Sequence, residues 1–157
     1  MNITTCQGCI FDVDSTLVNT TQVINNIWKT WALQKNIAFS DIFPHVHGRK
    51  IIETLTLVDR QYSNIDEENT VKDIAIHAMK SATEIEGALK FVKSIPKNSW
   101  AIATSGPRKV AETSLLASGF ELPDSMVCAE DVTNGKPHPA TFNFADQHSS
   151  VEPKTRK

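Results

Sequence analysis

Cys9-Ile10-Phe11-Asp12-Val13-Asp14-Ser15-Thr16 is the stretch around which the rest of the chain falls into place. The apolar run Cys9 to Phe11 reads as a short strand, and the polar residues after it read as the loop by which the chain leaves. Alternate side chains of a strand share a face, so Asp12 and Asp14 start out pointing the same way. Two carboxylates brought close repel each other unless a cation or a shared proton separates them. A hard divalent cation such as Mg²⁺ prefers oxygen ligands and suits the pair. One carboxylate is then available as a nucleophile and the other as a proton carrier. A helix cap or a solvated turn is the plainer alternative for the same two residues.

Two further stretches repeat the pattern of a short apolar run ending in polar chemistry. Trp100 to Ala103 leads into Thr104-Ser105-Gly106-Pro107, and Met126 to Ala129 leads into Glu130 and Asp131. Thr104 and Ser105 bring hydroxyls, and Gly106 lets the backbone approach a ligand. The helix expected after Pro107 would present free N–H groups, which makes a phosphate cradle; a simple N-cap would use the same residues. Lys136 stands between Gly135 and Pro137, placed to hold an amine at the mouth of a site or to lie in solvent. In the cluster His45-Val46-His47-Gly48-Arg49, no third ligand accompanies the histidines, so a transition metal is not expected. His47 and Arg49 suit a loop facing a phosphate or a hydroxyl-rich ligand.

Between the first and second strands the apolar residues recur at helical spacing. Val23, Ile24, Ile27, Trp28 and Trp31 predict a helix to about Gln34, with Trp28 and Trp31 as packing. Ile51, Ile52, Leu55, Leu57 and Val58 predict a second helix. Val71, Ile74, Ala75, Ala78 and Met79 predict a third, from about Glu67 to Lys80. Residues 17–86 therefore read as helices without a strand. After Gly87 the pattern becomes helix and strand by turns, with helices over 88–94 and 108–118 and a weak one over 140–148. Strands alternating with helices imply a parallel sheet with crossovers, and such sheets bind ligands beyond the carboxyl ends of their strands.

Composition bounds the partners. The chain has 157 residues and a formal net charge of −2, so neither nucleic acid nor another polyanion is expected as a ligand. Hydrophobic content of 40% and charged content of 22% suit a globular protein. No apolar run is long enough to span a membrane, and no signal peptide precedes the first strand. Cys6, Cys9 and Cys128 read as thiols of a reducing cytoplasm rather than as a redox or zinc set.

Together these pieces resemble the haloacid dehalogenase-like hydrolase superfamily. Its Asp-x-Asp-x-Thr motif stands here as Asp12-Val13-Asp14-Ser15-Thr16. Its hydroxyl residue after an apolar strand stands as Thr104, and its Lys-Pro as Lys136-Pro137. Ile42-Phe43-Pro44-His45-Val46-His47-Gly48-Arg49 and Trp100 to Gly106 are similar to fungal glycerol-phosphate and 2-deoxyglucose-phosphate phosphatases. The resemblance implies an α/β class, a Rossmann-like parallel sheet with an inserted helical cap. The core would comprise residues 1–16 and 87–157, and the cap 17–86. It implies Mg²⁺, held by Asp12 and Asp14, and a small phosphorylated metabolite, a sugar or polyol phosphate. Asp12 would attack phosphorus, and Asp14 would protonate the leaving alcohol and then deprotonate water. Thr104, Lys136 and the backbone near Ser105 and Gly106 would hold the phosphoryl oxygens.

One departure stands against this match. The family has a fourth strand ending in an acidic pair that holds the metal, and no such strand is legible after Pro139. Asp146 belongs to the weak helical stretch, and Glu152 stands in a polar tail. The sequence thus reads as a family member stopping before that strand, with an incomplete sheet, impaired turnover, and self-association through an exposed edge. A catalytically inactive remnant or binding module of the same fold is the alternative, and a mutase or dehalogenase on this scaffold is a third.

Overall fold

The computed structural model describes residues 8–136, 138 and 139. Cys6, the weak helical stretch over 140–148, Asp146 and Glu152 lie outside the described residues.

Three strands build the main sheet: β1 (Cys9–Phe11), β4 (Trp100–Ala103) and β5 (Met126–Val127), in the order β1-β4-β5 and all parallel. Cys9 pairs with Trp100 and Phe11 with Ile102, while Ala103 pairs with Val127. All four residues of β4 are buried, as expected of a central parallel strand covered on both faces. β1 and β4 occupy the residues that their apolar runs mark out. β5 is two residues shorter than its run, because Cys128 caps a 3₁₀ turn formed by Ala129–Asp131.

The intervening helices are α1 (Thr21–Lys35), α2 (Phe39–Ile42), α3 (Ile51–Val58) and α4 (Ile65–Ala78). A fifth, α5 (Ala88–Lys93), leads toward β4, and α6 (Arg108–Ala117) joins β4 to β5. α4 begins two residues before the expected Glu67, because Asn64 caps it by accepting a hydrogen bond from the Glu67 N–H. α4 packs against both α1 and α3, with Trp31 and Leu55 fully buried. The Trp31 ring meets Trp28 and Tyr62 edge-on, with centroids 5.7 and 5.1 Å away. Its indole N–H donates to Glu67 Oε2 at 2.9 Å, and Lys35 pairs with the same carboxylate. Buried Trp28 and Trp31 thus serve packing.

The expectation of helices alone across 17–86 is corrected. β2 (Val18–Asn19) and β3 (Thr83–Glu84) pair antiparallel, Val18 with Glu84 and Asn19 with Thr83. The Ile85 N–H donates to the Leu17 carbonyl at 2.9 Å and extends this ribbon. Strands of two residues carry no alternation, so nothing in the residue pattern marks them. α6 closes at Gly119 with φ +85°, where the Phe120 N–H reaches back to the Leu115 carbonyl at 3.0 Å. Glycine takes that left-handed position without a Cβ penalty.

Candidate active site

The loop after β1 is folded around a single carbonyl. The Val13 oxygen accepts from the N–H groups of Thr16, Leu17 and Val18, at 3.3, 3.0 and 3.0 Å. Ser15 adopts φ +59°, and its N–H donates back to the Val18 carbonyl at 2.8 Å. The Val13 side chain is buried in the core, while Asp12 and Asp14, on either side of it, line a common cavity. That cavity measures about 360 Å³. Its polar end also carries Ser15, His47, Arg49, Ser105 and Gly106; its apolar wall includes Ile24, Trp28, Val71, Met79 and Val110.

Lys136 reaches Asp12 from the side. Its Nζ lies 3.0 Å from Asp12 Oδ1 and donates to the carbonyl of Ala103, the last residue of β4, at 2.8 Å. The main chain also contributes to the Asp12 carboxylate, since Oδ1 accepts the Val13 N–H at 2.9 Å. Rather than lining the cavity, Lys136 lines an adjoining open groove with Arg49, Glu53, Asn134, Gly135 and His138. Thr104 lies beneath the cavity floor, almost fully buried. Its Oγ1 accepts the Gly106 N–H at 3.0 Å, which leaves the hydroxyl proton to donate elsewhere.

That bond alters the expected cradle. The Gly106 amide is taken by Thr104, and the first amide of α6, that of Arg108, donates to Glu130 Oε2 at 3.0 Å. The Ser105 N–H makes no hydrogen bond among the described residues. Gly106 itself lies against Thr104 and Asp14, with room for a Cβ in ordinary contact. A Cβ there would sit 3.4 Å from Thr104 Oγ1 and 3.8 Å from Asp14 Oδ2, on the floor between the two groups. Ser105 Oγ donates to the Gly48 carbonyl at 3.3 Å, and His47 Nε2 sits 3.0 Å from Asn25 Oδ1.

Asp14 is held unlike an ordinary carboxylate. Burial raises its pKa from 3.8 to about 6, with the nearby Asp12 charge adding to the rise. Thr20 and Lys136 pull the other way. Thr20 Oγ1 is buried without a well-formed hydrogen bond, yet it stands close enough to favour the charged form of Asp14. A carboxyl with a pKa near 6 can both give and take a proton close to neutrality.

Sequence reasoning missed Lys50 and Glu53. Lys50 is buried, and its ammonium donates to the main-chain carbonyls of Val132 and Thr133, the latter at 3.3 Å. Glu53 Oε2 accepts the Lys50 N–H at 3.1 Å, capping α3. A glutamate three residues after a helix start was the available signal. The apolar wall had no comparable signal, because its residues come from four separate helices.

Comparison with known proteins fits this geometry. The family model described as haloacid dehalogenase-like hydrolase matches residues 9–155. The chain belongs to that family. It is 29% identical over 153 residues to hexitol phosphatase A of Escherichia coli, covering 94% of this chain and 71% of that protein. It is 30% identical over 154 residues to 2-deoxyglucose-6-phosphate phosphatase 2 of Saccharomyces cerevisiae, covering 87% of this chain and 62% of the relative. Among solved structures, CbbY from Rhodobacter sphaeroides in complex with phosphate aligns with a TM-score of 0.76 at 16% identity. That alignment covers 94% of this chain and 74% of CbbY, and shows a shared fold.

Proposed function

We propose that this chain carries the reacting groups of a Mg²⁺-dependent phosphatase that hydrolyses a small sugar or polyol phosphate through an aspartyl-phosphate. The observation that carries the reading is the trio at the strand ends. Asp12 has an ammonium 3.0 Å away, and Asp14 lines the same cavity with a pKa raised to about 6. Names of relatives that act on hexitol and 2-deoxyglucose phosphates support the substrate class.

In this reading an Asp12 oxygen attacks phosphorus. Asp14, protonated in part near neutrality, gives its proton to the departing alcohol oxygen. The Asp14 carboxylate then takes a proton from the water that attacks phosphorus and releases phosphate from Asp12. Lys136 offsets the charge of Asp12 and of the incoming phosphoryl group, and the Thr104 hydroxyl and Ser105 amide donate to phosphoryl oxygens. His47 and Arg49, which line the same cavity, would contact the sugar or polyol.

The donor chemistry fits Mg²⁺, which takes one or two carboxylates and completes its shell with water and phosphate. The Asp12 carboxylate and the Asp14 main-chain carbonyl would hold it. When bound it would neutralise phosphoryl charge. No group of three His, Cys, Asp or Glu stands together among the described residues, so a tighter transition-metal site is not part of the proposal.

The reading extends to two further properties. β1 is paired on one side only among the described residues, and self-association would use that edge. The buried thiol of Cys128 suits a reducing cytoplasm.

Phosphate release from hexitol phosphates, 2-deoxyglucose 6-phosphate and glycerol phosphate, with and without Mg²⁺, tests the proposal. Turnover should need Mg²⁺ and fall at least about a thousandfold in Asp12→Asn. Turnover that survives Asp12→Asn removes the proposed nucleophile. Binding of these esters without turnover would instead make the chain a non-catalytic module of the same fold.

A further inference from the structure

We propose that Lys50 and Glu53 are positioning residues, which tie the first turn of α3 to the loop that delivers Lys136. The inference rests on the reading above, in which Lys136 serves Asp12. The Lys50 ammonium is inserted under the loop and donates to two consecutive carbonyls, those of Val132 and Thr133. A buried ammonium without such acceptors is costly, so the contact is specific rather than incidental. The same residue starts α3, and Glu53 fixes that start by accepting its N–H. Glu53 then abuts the loop further along. A Cβ on Gly135 would lie 2.9 Å from Glu53 Oε1 and 3.2 Å from Lys50 Cγ. The loop is therefore pressed against both side chains at a position where only glycine fits without displacement.

The loop's other face is held by apolar packing, since buried Val132 clusters with Ala103 and Val127 at the ends of β4 and β5. Held on both faces, the segment ends at Lys136, with its Nζ on Asp12 and on the Ala103 carbonyl. A second tie runs parallel to it, from Ser105 Oγ to the Gly48 carbonyl. Docking of α3 and alignment of the Lys136 amine are thus one event. Loss of the Lys50 contacts frees the loop, and Lys136 with it, without touching Asp12.

The test reads Lys136 directly and needs no turnover, so it stands or falls apart from the phosphatase assay. Acetylation by acetic anhydride is followed residue by residue by mass spectrometry, with the exposed Lys109 as internal reference. Lys50→Met should raise the labelling rate of Lys136 relative to Lys109 by at least about tenfold, the loss expected when hydrogen bonds to a charged group are removed. Lys50→Arg, which keeps the donors, should stay within about twofold. If the phosphatase reading holds, Lys50→Met should also lower kcat more than it changes KM. Unchanged Lys136 labelling in folded Lys50→Met overturns the proposal. If that variant does not fold, the wild type decides. In rising urea below global unfolding, Lys50 and Lys136 should become reactive together, and separate transitions overturn the coupling.

Discussion

Asp14→Asn should stabilise the metal-free protein at neutral pH, and the gain should vanish in acid. Folding raises the Asp14 pKa from 3.8 to about 6, so the folded state binds this proton more tightly than the unfolded chain. Its contribution to stability is fully present below about pH 4, declines as pH rises through the window up to about 6, and is lost above it. At about 1.4 kcal/mol per tenfold in proton affinity, the charged carboxylate costs the fold about 3 kcal/mol at neutrality. Asp14 keeps some exposure, which makes that figure an upper bound. Asparagine keeps the shape and removes the charge. Urea unfolding in EDTA, followed through the buried tryptophans, should show Asp14→Asn more stable by up to about 3 kcal/mol near pH 7.5. Near pH 4.5 the two proteins should differ much less. In a chain of this length, the neutral-pH gain corresponds to a rise in Tm of up to about 10 °C. EDTA matters, since a bound cation would itself offset the repulsion between Asp12 and Asp14. A variant less stable than the wild type near pH 7.5, or equally stabilised at both pH values, would refute the reasoning.

Two further outcomes are expected. The Cys128 thiol is pushed up to about 12 by burial, against the pull of Arg108 and with the help of Asp131, Glu130 and Glu112. Its alkylation by iodoacetamide near pH 8 should therefore track unfolding, and rapid labelling of the native protein would contradict its placement. Leu55, fully buried on α3, should cost about 2–5 kcal/mol when changed to alanine. A loss below about 1 kcal/mol in urea unfolding would show that it is not buried as described.

The residues disclosed the sheet better than its surroundings. β1 and β4 could be placed because their apolar runs stop abruptly at polar residues, and the same stops set Asp12, Asp14, Ser105 and Gly106 at one end of the sheet. His47 and Arg49 stood out as a polar cluster at a turn and lie on the same cavity. What stayed hidden was tertiary. The Lys50 bond to Val132 spans 82 positions, and no local pattern encodes it. Competition for amides was equally invisible. A Ser-Gly-Pro segment looks like a set of open N–H groups, but the Thr104 hydroxyl already occupies that of Gly106 and Glu130 that of Arg108. β2 and β3 escaped because two residues cannot display a period.

That small ribbon has a consequence for how such a chain can change over time. Val18 and Glu84 lie side by side, so the long excursion from one to the other departs and returns at a single point. A segment whose two ends meet can be lengthened or shortened while β1 and β4 keep their places, provided that Lys50 and Glu53 keep their hold on the loop before Lys136. Inheritance can thus vary the roof over the chemistry as long as that one pillar stands.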